Sequence, residues 1–520
     1  MIKRKLPSSI FLLLWLVLLW THNAYSEQIN EVIHTKVLIL GAGAAGISAA
    51  KTLHAMGMRD FLILDAQPFI GGRVQHTTFG DHQIELGANW IYGKGTNPIY
   101  HLASKHGLKT APNNKENLAY FDDNGEIPDT QGQAIYHTFE KMMENLVDYA
   151  DQRMKRHQVD LSSRSALKLL GWHPDTPLKA AVEYFAVDWE LAEPAEVSSL
   201  DYATGTVDMV TGSFPSGNEF VVDERGFNHI LKEEAKWFLQ DDDSRLLLNT
   251  LVKDIFYGDD NVTVITDNGQ ILTADYAICT FSLGVLQSDN VNFMPPFPDW
   301  KREALLSFHM ATYTKIFLKF DRKFWGDWQF AMYANNDTVN GGYYTIWQNL
   351  NAPGYLSNLK RQPSNNILMV TTTYKQSERI ERMNDDLVQR EIMQVLRRMF
   401  PEIDLPDPTA ILIPRWHSNP LFRGSYSNWP IGVLADHHQN MRAPLAGPHS
   451  HDRPRLWFAG EAMSAEYYGF LHGAWIDGDN TAKSIVKCIQ GACPAYQMNE
   501  YVTGCELRQQ HRPRLRYQHL

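Results

Sequence analysis

Among the residues able to do chemistry, the first to stand out are three glycines at fixed spacing, Gly41-Ala-Gly43-Ala-Ala-Gly46, directly after the apolar run Lys36-Val-Leu-Ile-Leu40. A strand that turns through such a run into a helix brings backbone N–H groups and the positive end of a helix dipole to one point, which suits phosphate. The first glycine makes the tight turn, the second admits a pyrophosphate close to the backbone, and the third lets helix and strand pack. Asp65 ends the next apolar run, Phe61-Leu-Ile-Leu, about 20 residues on, where an acid accepts bonds from an adenosine ribose. Glycine spacing alone is a weak signal. With strand, helix and acid in register it predicts dinucleotide binding.

Gly71-Gly-Arg73 offers a second close backbone approach and a guanidinium able to grip the same pyrophosphate from its other side. A nicotinamide enzyme has no need of this, so the pair of motifs favours FAD. Glu85-Leu-Gly87-Ala-Asn-Trp90 supplies a glycine turn and an aromatic suited either to a flavin wall or to an ordinary core. Phe458-Ala-Gly460-Glu461 closes a strand with a carboxylate for ribityl or ribose hydroxyls. A helix expected near Gly473-Ala474 aims its N-terminus at the flavin N1 and C2 carbonyl, where charge accumulates on reduction.

The elements that must position these residues read as follows. Strands at Lys36–Leu40 and Phe61–Asp65 flank a helix after Gly46, a βαβ opening. The stretch Asn117–Trp189 reads as a mostly helical insertion. Strands return over Leu246–Thr280, where Val262–Thr266 and Ile271-Leu272 pair around Asp267-Asn-Gly269, expected as a type I′ turn. Tyr313–Phe320 and Ile367–Thr373 belong to a further sheet, and Asp386–Phe400 to a helix. Strand Arg455–Ala459 lacks local partners and is expected to rejoin the first domain.

A net charge of −11 disfavours nucleic acid, whose phosphates need clustered Lys and Arg, and suits a cationic substrate. Lys3, Arg4 and Lys5, the apolar run Ile10–Trp20 and the small residues to Ser26 read as a secretory signal, with the mature chain starting near Glu27. That run falls short of the roughly 20 residues a bilayer span needs, and with the signal removed no membrane insertion is expected. Export makes Asn261-Val-Thr and Asn336-Asp-Thr glycosylation sites and permits a disulfide among Cys488, Cys493 and Cys505, with the pairing open. Cys279 reads as a buried thiol, and no Cys or His spacing resembles a metal site.

These motifs, with Tyr313-Thr-Lys315 and Phe422-Arg-Gly-Ser-Tyr-Ser-Asn-Trp429, run nearly end to end. On them the sequence resembles the flavin amine oxidases, and within them the polyamine oxidase branch. The resemblance implies an α/β fold: a Rossmann-like FAD-binding domain of discontinuous segments plus an α+β substrate-binding domain, the two-domain arrangement of p-hydroxybenzoate hydroxylase and the amine oxidases. The boundaries expected are residues 1–26 for the signal; 27–115, 212–290 and 410–490 for the FAD domain; 116–211 and 291–409 for the substrate domain; and 491–520 for a C-terminal extension.

It further implies cofactor contacts at Gly41, Gly43, Ala45, Gly46, Asp65, Ala66, Gly72, Arg73, Gly87, Ala88, Asn89, Trp90, Val252, Trp416, Gly460, Glu461, Gly469 and Phe470. Lys315 would bond a water at flavin N5, as against a sheet-edge lysine snorkelling to solvent. Trp416, Tyr426 and Phe470 would wall the substrate amine, with Trp90, Tyr92, Tyr313 and Glu190 completing its site and Asp188 and Glu193 nearby. Two departures from the branch stand out. Tyr92 replaces an acid found two residues after the motif tryptophan, and Phe470 replaces a tyrosine. Ser425 stands where monoamine oxidases carry the cysteine that bonds FAD, so the cofactor is expected to be noncovalent. The activity implied is oxidation of an amine, with oxygen going to hydrogen peroxide. The alternatives are an L-amino-acid oxidase, for which Arg415 and Arg423 are candidate carboxylate clamps, a monoamine oxidase, and a flavin-binding module without turnover.

Overall fold

Val37, Leu38, Ile39 and Leu40 are all fully buried, as an uninterrupted apolar run demands of a strand covered on both faces. In the computed structural model this strand, Ile33–Leu40, lies between Phe61–Leu64 and Ile271–Cys279, parallel to both. The structure describes residues 32–493 apart from 115, 205–213, 215–216, 337–341, 357–365 and 450–452. The signal segment and the tail beyond Cys505 lie outside them.

The sheet runs Leu246–Leu247, Phe61–Leu64, Ile33–Leu40, Ile271–Cys279, Val262–Thr266, Val252–Tyr257, Asn292–Met294. Leu456–Phe458 pairs in parallel with Ile271–Cys279, so the late strand does rejoin the first sheet. One face is covered by the helices Ala44–Ala55, His229–Ala235 and Leu471–Ile489. The last of these packs along the first: Ser48 Oγ donates to the Trp475 carbonyl at 2.7 Å and Thr52 Oγ1 to Asp479 at 2.6 Å. Contact is this close because position 478 is glycine, where a Cβ would meet the Ala45 carbonyl oxygen at 2.1 Å.

A second sheet runs Ala410–Leu412, Tyr313–Phe320, Asn366–Thr373, Ile346–Asn349, Phe330–Tyr333, Leu118–Asp122, Gly125–Ile127. Its two faces divide by strand alternation. Phe317 and Met369 face helices Asp129–Lys155 and Pro177–Ala186, whereas Ile316, Leu318, Leu368 and Val370 face helix Asp385–Met399. That last helix buries Val388, Ile392, Val395, Leu396 and Met399, opens on acids Asp385 and Asp386 and closes on Arg397 and Arg398, matching its dipole. At the expected domain junctions, Asn292–Met294 pairs with the first sheet and Ala410–Leu412 with the second.

Among the local readings, the turn type needs correction and the others are refined at their boundaries. The stretch from Asn117 opens with the strands Leu118–Asp122 and Gly125–Ile127 before its helices begin, because Ala119 and Phe121 cover one face and Leu118 and Tyr120 the other. The hairpin at Asp267-Asn-Gly269 is a three-residue loop: Gly269 N donates to the Thr266 carbonyl and Thr266 N to the Gln270 carbonyl, with Gly269 at φ 80°. Asn268 Oδ1 also accepts from Thr266 Oγ1 at 2.5 Å, a side-chain bond added to the backbone pair that closes the loop. The two cofactor-side helices begin at Ala44 and Leu471, about half a turn before the glycines taken to start them. The disulfide left open by the sequence joins Cys488 to Cys493, and Cys279 is a buried thiol.

Gly478→Ala is expected to lower stability by roughly 1–3 kcal/mol, since the new methyl meets backbone and not a side chain able to move aside. Thermal unfolding of the two proteins checks this, and an unchanged Tm would show that the two helices separate freely.

Candidate functional site

Gly41, at φ 117°, turns the chain out of its strand, and its own carbonyl lies where a Cβ on Gly46 would be 1.9 Å away. Gly46 therefore seats the helix on the strand, as expected, and it is the one predicted cofactor residue that does not line the cavity. Gly72, at φ 59°, approaches so closely that a Cβ on it would lie 3.2 Å from Gly43 Cα. The two glycine loops thus form facing lips. Asp65 accepts from Ala42 N at 2.7 Å and Gln67 N at 2.8 Å, holding the turn while both oxygens keep lone pairs for further donors. Burial raises its pKa.

The opposite lip is built from the far end of the chain. Glu461, 5% exposed, accepts from Arg73 Nη1 at 2.8 Å, Ser427 Oγ at 2.6 Å, Ser427 N at 3.3 Å and Gly469 N at 2.8 Å. Arg73 Nη1 also donates to the Ser425 carbonyl at 3.0 Å. These bonds leave the guanidinium's other nitrogens with donors for phosphate. Helix Leu471–Ile489 starts at Phe470 without a side-chain cap, and Leu471 and His472 line the cavity. Its first N–H groups are therefore available to an acceptor. Asp477, on that helix, holds Gly460 N at 3.1 Å and pairs with Arg442.

Gly41, Gly43, Asp65, Gly72, Arg73, Ser427, Glu461, Gly469 and Phe470 all line one cavity of about 620 Å³, within the range of cofactor sites. Lys315 enters it from strand Tyr313–Phe320, which is flanked on both sides by Asn366–Thr373 and Ala410–Leu412. The lysine is 4% exposed, and its Nζ donates to the Gly87 carbonyl at 2.5 Å and the Glu85 carbonyl at 3.4 Å. The snorkelling alternative is thereby excluded. Desolvation drives its pKa down to about 7, with Glu85 opposing, so Nζ can hold or release a proton near neutrality. Glu85 is itself buried, pushed up to about 8 by desolvation. Its Oε1 accepts from Phe227 N at 2.7 Å while Oε2 finds no hydrogen-bond partner among the described residues.

Alternation places Tyr313 on the face of Lys315. Tyr313 lies 5.9 Å from Tyr426 and 6.2 Å from Trp189, ring to ring, and Tyr92 meets Phe470 edge-on at 4.9 Å. Glu190 joins this group: it lines the same cavity as Tyr92, and Tyr426 Oη donates to its carbonyl at 3.0 Å. Burial raises all three phenols well above their ordinary pKa, keeping them neutral donors. Trp416 also lines the cavity, but from another side, donating to the Leu86 carbonyl at 3.2 Å and packing on Phe422. Trp90 lines it while packing into core against Phe220 and Phe330.

Apart from Gly46, every residue the sequence put forward as a cofactor contact or as part of the amine site lines this cavity, whereas Asp188, Arg415 and Arg423 do not. Glu193 instead bonds His309 at 2.9 Å and Asn428 at 2.7 Å, bracing the strand that carries Tyr426. Sequence reasoning passed over Trp189 and His472, and read Ser425 only for the thiol it lacks. Ser425 Oγ donates to the Tyr313 carbonyl and accepts from Tyr313 N. His472, stacked on Phe470 at 5.0 Å, is pushed down to about 3 by burial and is therefore neutral. Only its position two residues inside a helix aimed at the cavity signals it, and that position depends on the fold.

The family model of the flavin containing amine oxidoreductases matches residues 44–486. Polyamine oxidase 1 of Zea mays is 37% identical over 93% of this chain and 97% of its own length. Polyamine oxidase 7 of Oryza sativa subsp. japonica is 38% identical over 85% of this chain and 93% of its own. A solved structure of wild-type putrescine oxidase bound to putrescine covers 88% of this chain and 99% of that chain at TM-score 0.68 and 17% identity, a likeness of fold. With glycine lips shaped for a pyrophosphate, an uncapped helix start beyond them and a buried lysine between, the chain belongs to the flavin containing amine oxidoreductases and is an FAD-dependent enzyme.

Proposed function

We propose that this protein oxidises polyamines (spermine, spermidine or their acetylated forms) to an aldehyde and a smaller amine, reducing oxygen to hydrogen peroxide, and that it is exported from the cell. The observation that carries the substrate reading is the pairing of a buried lysine with a carboxylate set among aromatic rings, Lys315 and Glu190, in one cavity. Aromatic faces and a carboxylate favour ammonium groups. The relatives' names agree with this.

Bound FAD would supply the two-electron acceptor, taking a hydride equivalent from the carbon beside the amine nitrogen and delivering the electrons to oxygen. The chain's own residues do the rest. Tyr313, Tyr426 and Phe470 exclude water and make a neutral amine the favoured form at the reacting centre. Glu190 holds an ammonium elsewhere on the same substrate. Lys315 Nζ, protonated below about pH 7 and neutral above it, holds or moves a proton at the cavity floor.

An L-amino-acid oxidase needs an arginine for the substrate carboxylate, and the candidates are committed elsewhere. Arg415 bonds Asp385 and the carbonyls of Glu381, Ile413 and Met383, and Arg423 is exposed and bonds Asn290. A peroxide assay over spermine, spermidine, their acetylated forms, a monoamine and leucine tests the reading. Turnover of leucine but no polyamine would replace it.

Export is supported by the basic and apolar N-terminal residues. None of the helices in the described residues is long and apolar enough to cross a membrane. Asn261, exposed in the loop between Val252–Tyr257 and Val262–Thr266, is the sequon best placed for a glycan.

Lys315→Met is expected to retain FAD, to slow flavin reduction or reoxidation roughly a hundredfold, and to lose the rate change the wild type shows near pH 7. Stopped-flow traces across pH check this, and identical profiles would remove Lys315 from the chemistry. Ser425 is a hydroxyl, and Cys279, the free cysteine among the described residues, is buried in the first sheet. FAD is therefore expected in the supernatant after acid precipitation, and flavin colour in the pellet would show a covalent bond.

A further inference from the structure

We infer that Glu381 is a positioning residue for Lys315: it clamps the strand that carries the lysine to the loop that carries Trp416, and so fixes where the lysine nitrogen stands in the cavity. The inference rests on the role given above to Lys315.

Glu381 ends the helix Tyr374–Glu381. Strand alternation turns Thr314 away from the face of Lys315, and there Thr314 Oγ1 donates to Glu381 Oε1 at 3.1 Å. The same oxygen accepts from His417 N at 3.2 Å, and Oε2 accepts from Ser418 N at 2.8 Å. Arg415 Nε donates to the Glu381 carbonyl at 3.1 Å. One residue thus holds the neighbour of Lys315 on one segment and the neighbours of Trp416 on another.

Glu381 is 4% exposed and Thr314 is fully buried. The donors to the carboxylate are a hydroxyl and two backbone N–H groups, and no lysine, arginine or histidine side chain pairs with it among the described residues. Burying a charge without a counter-charge is strongly unfavourable, and a side chain serving only to fill space there would be uncharged. A carboxylate supplies acceptors on both oxygens to donors arriving from two segments, which an amide cannot do. The helix is also aimed. It leaves strand Asn366–Thr373 through Tyr374 at φ 52°, an uncommon conformation for a residue with a side chain. Tyr374 N donates to the Thr312 carbonyl at 2.9 Å, and Thr372 Oγ1 and Ser377 Oγ bond at 3.0 Å.

On the cavity side the two segments meet again. Lys315 Nζ donates to the Glu85 and Gly87 carbonyls, and Trp416 Nε1 donates to the Leu86 carbonyl between them. Lysine and indole therefore bond three successive carbonyls of one turn, and Glu381 closes the circuit from behind. A shift of the strand against the loop would draw Nζ off its carbonyls.

The flavin half-reaction that Lys315→Met slows, reduction by spermine or reoxidation by oxygen, is followed in stopped flow to test this. Glu381→Gln sets an amide donor against a backbone N–H that needs an acceptor. It should retain FAD, slow that half-reaction roughly tenfold, and leave KM for spermine within about twofold of the wild type. In the Lys315→Met background the same change should alter the rate by no more than about twofold, because the residue it positions is gone. Thr314→Val cuts the strand side of the clamp and nearly keeps the side-chain shape; it should give the same pattern, and it carries the comparison where Glu381→Gln does not fold. Flavin absorbance of the purified proteins, read without turnover, checks that FAD is retained. Equal slowing in both backgrounds would show a general structural role and overturn the inference, as would loss of FAD from a folded variant or an unchanged rate in the wild-type background. Lys315→Met as fast as the wild type in both half-reactions would overturn the Lys315 reading and this inference with it, an outcome distinct from an impaired Lys315→Met on which Glu381→Gln still acts in full.

Discussion

The architecture of the site depends on one buried carboxylate. Glu461 ends the strand that returns to the first sheet, and it binds Arg73 from the opening βαβ unit, Ser427 beside the substrate strand and Gly469 ahead of the last helix. A buried anion left unpaired is strongly destabilising, so its donors must arrive together or not at all. Segments hundreds of residues apart are thereby brought to one atom group, and the lips of the cavity are set by charge satisfaction. Apolar contact, which tolerates sliding, cannot fix them so closely.

The same reasoning explains how a lysine survives in a central strand. Lys315 pairs with Thr371 of the neighbouring strand, and its ammonium reaches carbonyls, not carboxylates. Carbonyl acceptors satisfy the donors without paying the whole cost of desolvation, and its pKa falls accordingly. Glu85 experiences the mirror-image pressure across the same turn. Burial moves the two groups toward each other's range, which suits a site where protons are handled near neutral pH.

Much of the cofactor half was legible because its signals are local. Gly41, Gly43 and Gly46 report a turn, a close approach and a helix seat within six residues, and Asp65 lies one element on. The substrate half is carried by contacts between distant segments. Tyr92 meets Phe470, Tyr426 meets Glu190, and Trp416 meets Leu86, none of which has a spacing to read. Composition in the stretch after Asn117 favoured helix, yet Leu118–Asp122 is held as a strand by parallel pairing with Phe330–Tyr333, a tertiary effect that overrides propensity. The importance of Ser425 was likewise read for what it lacks, a thiol, whereas its contribution is a pair of bonds to the Tyr313 backbone.

Charge is divided along the cavity in a way that orders what enters it. At the nucleotide end stand the starts of helices Ala44–Ala55 and Leu471–Ile489, with Arg73 and Lys253 among the lining residues. At the other end, Glu190 sits among neutral rings. A pyrophosphate is drawn to the first and an ammonium to the second, and within a low-dielectric enclosure the reverse placement of either is costly. Lys315 lies at the divide, and its depressed pKa matters there. A permanently charged ammonium at that point would repel the cation that Glu190 attracts. A lysine able to shed its proton lets a cationic substrate pass while keeping a donor in reach of the reacting centre.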